Sequence, residues 1–287
     1  MIRIFDTYPA LLDAFEDGRF SRERWQAYID RACPGLAPLL TKDAEETLSM
    51  GTVTFEKDYL PVLSAVAQKS GECALAHEAF LRVTDALEAR VLAAFGHSLD
   101  VDIVFYLGLC NGAGWVTPFG GRTCVLLGVE KILELGWHTQ RDMIGLIDHE
   151  LGHAYQAQYG VLKRAFDDPA QAFLWQLFTE GIAMVFEQTL VGDPDFYHQD
   201  RDGWKAWCDA HFAQIRRDFD RDLPGMTRAN QRYFGDWVRY EGRGDVGYYL
   251  GCRFVRHILE SRVFDDILAL SMDELSPLYR RFLRAPK

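Results

Sequence analysis

Apolar positions change their spacing twice along the chain, and those changes outline an architecture. After a short alternating start at Ile2 and Ile4, residues 8 to about 96 carry apolar side chains at helical intervals. The clearest stretch is ECALAHEAFLRVTDALEARVLAAFG. There Leu75, Phe80, Val83, Leu87, Val91 and Leu92 follow helical spacing, and Gly96 stands as a stop signal. At residue 101 the texture turns β-branched and aromatic, so that VDIVFYLGL and RTCVLLGVE read as two short strands. The glycine-dense CNGAGWVTPFGG between them reads as a turn region. From about 171 helical spacing returns in QAFLWQLFTEGIAMVFEQTL and later in GYYLGCRFVRHILESRV. The charged IRRDFDRD between those two reads as a solvated face or loop. The expected fold is α+β and mostly helical. It has an N-terminal helical region over residues 1–98 and a core over 99–287, in which a small sheet precedes a long helix.

Composition narrows the classes. With 48% hydrophobic and 25% charged residues in 287, the chain is long and apolar enough to bury a substantial core. A formal net charge of -11 supplies no basic field for nucleic acid or an anionic membrane, so neither is expected as a partner. The N-terminus lacks the apolar core of a secretory signal, and no run of about 18 apolar residues is present to span a membrane. The six cysteines are scattered without a CxxC pair, which suggests reduced thiols and neither a disulfide framework nor a thiolate zinc site. A cytoplasmic protein is expected.

The candidate chemistry lies in GLIDHELGHAYQAQYG, residues 145 to 160. On a helix, His149 and His153 lie one turn apart on one side, with Glu150 in the same broad arc. Two imidazoles can then bind a metal from one rigid element while the glutamate reaches a water on that metal. Met143, Ile147, Leu151 and Ala154 fall on a different stripe that can face a core. A chance HExxH arises in on the order of one chain in a hundred of this length, so the pair needs a third ligand. The residues after His153, AYQAQYGVLKR, contain no metzincin glycine and third histidine. The other solution is a glutamate on a following helix, and LFTEGIAMVFE offers Glu180. Flanked by Phe178, Ile182, Val185 and Phe186, this acid faces a large desolvation cost unless it is paired or metal-bound. Gly181 and Ala183 would let its helix approach the first one closely. His77, His97, His138, His198, His211 and His257 are isolated in sequence and read as structural or exposed.

HExxH followed by a helix carrying Glu-Gly-x-Ala resembles the gluzincin superfamily of zinc peptidases. Within it, the chain is most similar to bacterial domains predicted to be zinc-dependent proteases of unknown specificity. The resemblance covers roughly residues 101 to 260 and implies a zincin-like core holding one Zn2+ ion. It implies that RTCVLLGVE lines the substrate cleft as a sheet edge. In GDVGYYLGCRF it implies an oxyanion donor at Tyr248, with Tyr249 in the same stretch and Tyr240 upstream of it as competitors. The chain departs from the thermolysin-like pattern in having Met184 where an aspartate often supports a ligand histidine, which leaves Glu187 or a backbone carbonyl for that task. CNGAGW lacks the acid that would anchor a substrate amine in an exopeptidase.

The expected activity is a zinc-dependent hydrolase, a peptidase acting on peptide or protein substrates. His149, His153 and Glu180 hold the metal, Glu150 acts as general base, and Tyr248 stabilises the oxyanion. The alternatives are a non-catalytic zinc-stabilised domain and a zinc hydrolase of a non-peptide amide or ester.

Overall fold

The alternating start and the β-rich runs come together in one mixed sheet within Met1–Glu150, the first of two compact units. The computed structural model describes residues 1–235 and 238–285. Strand β1 (Ile2–Asp6) leads through a 3-10 turn to a small hairpin of β2 (Phe15–Glu16) and β3 (Arg19–Phe20). Helices α1 (Arg22–Ala32), α2 (Ala37–Ser49), α3 (Leu60–Gln68), α4 (Ser70–Thr84) and α5 (Leu87–Phe95) follow. Then come β4 (Val101–Tyr106), β5 (Gly114–Phe119), β6 (Arg122–Gly128) and helix α6 (Val129–Glu134). The sheet order is β1-β4-β6-β5, parallel except for the β5–β6 hairpin. Central β4 is buried along its whole length, as expected of a strand paired on both sides and covered on its faces.

Three sequence expectations change here. The long helical stretch over 72–96 is two helices, because Ala86 adopts φ 55° and breaks the path between α4 and α5. Phe80, Val83, Leu87 and Val91 are buried as expected, whereas Leu75 and Leu92 come out exposed. The supposed turn CNGAGWVTPFGG contains a full strand, β5. Its glycines mask an extended WVTPF run, and the actual hairpin turn is Gly120-Gly121, both at positive φ. Finally, RTCVLLGVE is not a sheet edge: β6 lies between β4 and β5, so the edge on that side is β5.

Helix α7 (Gln140–Tyr159) begins in the first unit and ends in the second, which runs from Leu151 onward. The second unit adds α8 (Pro169–Val191), α9 (Trp204–Asp222), α10 (Val246–Leu259), α11 (Phe264–Ile267) and α12 (Met272–Arg284). Pro169 opens α8 as its first residue, Asp168 caps it by accepting from the Ala170 N–H at 2.9 Å, and Gly192 closes it at φ 77°. IRRDFDRD is no loop but part of α9: Ile215 and Phe219 are buried, Arg217, Asp220 and Arg221 are exposed, and Asp218 and Asp222 accept from Tyr240 and Tyr233. Among the described residues no helix is long and apolar enough to cross a membrane, and all six cysteines are free thiols.

Close helix approach in this unit depends on absent side chains. A Cβ on Gly152 of α7 would lie 2.7 Å from the Ala183 Cα on α8. One on Gly181 would lie 2.2 Å from the Gly251 carbonyl oxygen on α10. Ala183 therefore meets the HExxH helix as its size suggested, while Gly181 serves the contact with α10.

Candidate metal centre

Met143, Ile147, Leu151 and Ala154 form the buried stripe of α7, which leaves His149, Glu150 and His153 on another side of the same uninterrupted helix. The Gly152–Ala183 approach brings α8 alongside, and with it Glu180. His153 Nε2 lies 3.2 Å from Glu180 Oε2, with the two side chains 13 and 14% exposed. Among the described residues, one ligand-type atom each from His149, His153 and Glu180 fall within 4.8 Å of one another. The three residues singled out as ligands are thus brought together.

A second group shares His149. Its ligand-type atom lies within 4.8 Å of those of Glu187 and His198, and all three residues are buried. His198 Nδ1 lies 3.0 and 2.9 Å from the two Glu187 oxygens, and the His198 backbone N–H donates to Glu187 Oε1 at 3.3 Å. Glu187, one of the two candidates for supporting a ligand histidine, thus has a carboxylate oxygen within 4.8 Å of a His149 ring nitrogen while it accepts from His198. His198, isolated in sequence and read as structural or exposed, is buried and paired with Glu187. It stands in a turn after α8, and no helical or strand spacing links it to the other ligands.

The two groups differ in what they can do. Glu187 already accepts from His198 through both oxygens, and the side chains of that pair are 0 and 5% exposed. The set with His153 and Glu180 has two imidazoles, one carboxylate and partial access to solvent. That donor set suits zinc with one coordination position left for water or substrate.

Glu150 is buried, and its carboxylate rests against the first residue of β5. A Cβ on Gly114 would lie 2.8 Å from both Cγ and Oε1 of Glu150. Asp148, the other acid of the motif, is fully buried and accepts from Arg90 Nη2 of α5 at 2.7 Å, which ties the start of the motif to its own unit.

Tyr248, the expected oxyanion donor, is half-buried near the start of α10, with its ring edge-on to Phe234. Its competitors are committed elsewhere. The Tyr249 hydroxyl donates to Asp209 and the Tyr240 hydroxyl to Asp218, each at 2.7 Å, and both rings are fully buried. Burial, reinforced by those carboxylates, holds both phenols well above their ordinary pKa.

No protein-family model, curated protein or solved structure matches the chain.

Proposed function

We propose that the chain is a zinc-dependent hydrolase of the gluzincin type with a zincin-like core, acting on peptide bonds. The observation that carries this reading is the convergence of His149, His153 and Glu180 on one point of α7 and α8, with Glu150 beside them on the same helix. His149 and His153 contribute ring nitrogens and Glu180 a carboxylate oxygen. Bound there, zinc supplies Lewis-acid activation of a water and of the scissile carbonyl.

The remaining steps belong to the chain's own groups. The Glu150 carboxylate accepts the proton lost by the attacking water and passes it to the leaving amine. The Tyr248 hydroxyl donates a hydrogen bond to the oxygen that gains charge. Glu187, whose carboxylate holds His198 and lies within 4.8 Å of a His149 ring nitrogen, orients the His149 imidazole. A peptide substrate is favoured by β5: it is a sheet edge, and its first residue touches Glu150, so an extended chain paired to that edge passes the base.

A second reading has an observation of its own. The fully buried His149, Glu187 and His198 could hold an ion with a purely structural role. Metal analysis of purified protein separates the two. Under the catalytic reading His153→Ala and Glu180→Gln lose zinc, and Glu150→Gln retains zinc but not hydrolysis. Full zinc content in His153→Ala, with loss in His198→Ala, would instead establish the structural site.

A further inference from the structure

The glycine-rich segment before β5 is too constrained to be only a turn. Glu130, on α6, is buried, and burial pushes its carboxyl up to about 7. Its Oε2 accepts from the Gly108 N–H at 2.9 Å and its Oε1 from the Cys110 N–H at 3.0 Å. Asn111 pins the next step: its Oδ1 accepts from the Leu109 N–H, and its Nδ2 donates to the Leu40 carbonyl at 2.9 Å and to Asp43 at 2.8 Å. The Ala113 carbonyl then accepts from Gly128 at 3.0 Å, and the chain enters β5 at Gly114.

Three glycines permit this packing. A Cβ on Gly108 would lie 2.6 Å from Glu130 Oε1, and one on Gly128 would lie 2.5 Å from the Gly112 carbonyl oxygen. One on Gly114 would press on Glu150 and on Leu146 Cδ1, each at 2.8 Å. None of the three is at positive φ, so what each position demands is room and not an unusual backbone.

We propose that the 107–114 loop is a positioning cradle for the Glu150 carboxylate, anchored by Glu130 and meeting Glu150 at Gly114. The helix fixes only the Glu150 Cα, and three side-chain torsions separate that atom from the carboxylate. The backbone at Gly114 removes part of that freedom, and a general base must be held within hydrogen-bond reach of its proton. Glu130 reaches no reacting atom; it acts through the loop. The inference rests on Glu150 serving as the base.

The test uses the full-length protein loaded with cobalt(II), whose visible absorption reports the surroundings of the ion. Glu150→Gln sets the reference change in that spectrum. Gly114→Ala and Glu130→Gln are expected to keep one cobalt per chain while shifting the spectrum in the same sense as Glu150→Gln. Unchanged spectra in the folded variants overturn the cradle. Should Gly114→Ala fail to fold, Glu130→Gln, which adds no atom beside Glu150, carries the test alone, and an unchanged spectrum in it overturns the cradle. Wild-type protein that takes up no cobalt refutes the metallohydrolase reading first, and the cradle falls with it. Cobalt uptake with silent variants refutes the cradle alone.

Discussion

His153 Nε2 lies 3.2 Å from Glu180 Oε2, so a histidine from α7 and a glutamate from α8 face one another beside the Gly152–Ala183 approach of the two helices. That pairing gives a carboxylate set in an apolar run a partner, and it makes the two residues a single unit for binding. Loss of either is expected to empty the zinc site, as measured by metal analysis after gel filtration. Glu150→Gln is expected to retain metal and thermal stability while lowering hydrolysis of fluorescein-labelled casein by roughly 10²- to 10⁴-fold, the span for losing a general base.

Glu187 tests the support behind His149. Its carboxylate accepts from His198 and has an oxygen within 4.8 Å of a His149 ring nitrogen. Glu187→Gln is expected to weaken zinc binding by about 10- to 100-fold without abolishing it, as measured by competition with a chromogenic chelator. An unchanged affinity would remove Glu187 from the centre.

Glu130 predicts a pH dependence of stability. Its folded carboxyl titrates near 7 against an ordinary 4.5, so between those values the folded protein holds a proton that the unfolded chain has released. Its contribution is complete below pH 4.5 and is lost as pH rises through about 7. The loss is on the order of 3 kcal/mol. Urea unfolding at pH 5 and 7.5 checks this, and Glu130→Gln is expected to flatten the difference.

Gly181→Ala probes the approach of α8 to α10. The added methyl would meet the Gly251 backbone at 2.2 Å, which is no flexible neighbour. A destabilisation of about 1–3 kcal/mol or more is expected from urea denaturation. Zinc affinity is expected to fall as well, because the adjacent residue is Glu180.

The tyrosines separate by role. Tyr249→Phe removes the hydroxyl that donates to Asp209 and is expected to cost about 1 kcal/mol of stability with little effect on turnover. Tyr248→Phe is expected to do the reverse, lowering kcat by roughly 10²-fold with stability nearly unchanged. Equal kcat in wild type and Tyr248→Phe would exclude its hydroxyl from the reaction.

What could be read from the chain was what is local. His149, Glu150 and His153 are neighbours through helical spacing alone, and Glu180 betrayed itself as an acid among Phe178, Ile182 and Phe186. His198 could not be found this way, since a turn and not a periodic element carries it to Glu187. Strand β5 stayed hidden because Gly114 looks like a turn residue until the carboxylate of Glu150 is seen to occupy the space its side chain would take. The same limit applies to Gly181, whose small size invited pairing with α7 when its neighbour is α10.

Pro118 gives the open margin of β5 a finite length. The Gly128-to-Ala113 hydrogen bond sets the alternation of the hairpin, so Trp115, Thr117 and Phe119 point their backbone groups at β6 while Gly114, Val116 and Pro118 point theirs outward. Proline has no N–H to offer at the third of those positions. A guest strand can therefore find both a donor and an acceptor on only two of the three outward residues. That suffices to seat a short extended segment and is too little to zip two copies of the protein together, so the margin is protected against polymerisation by the chemistry of one residue.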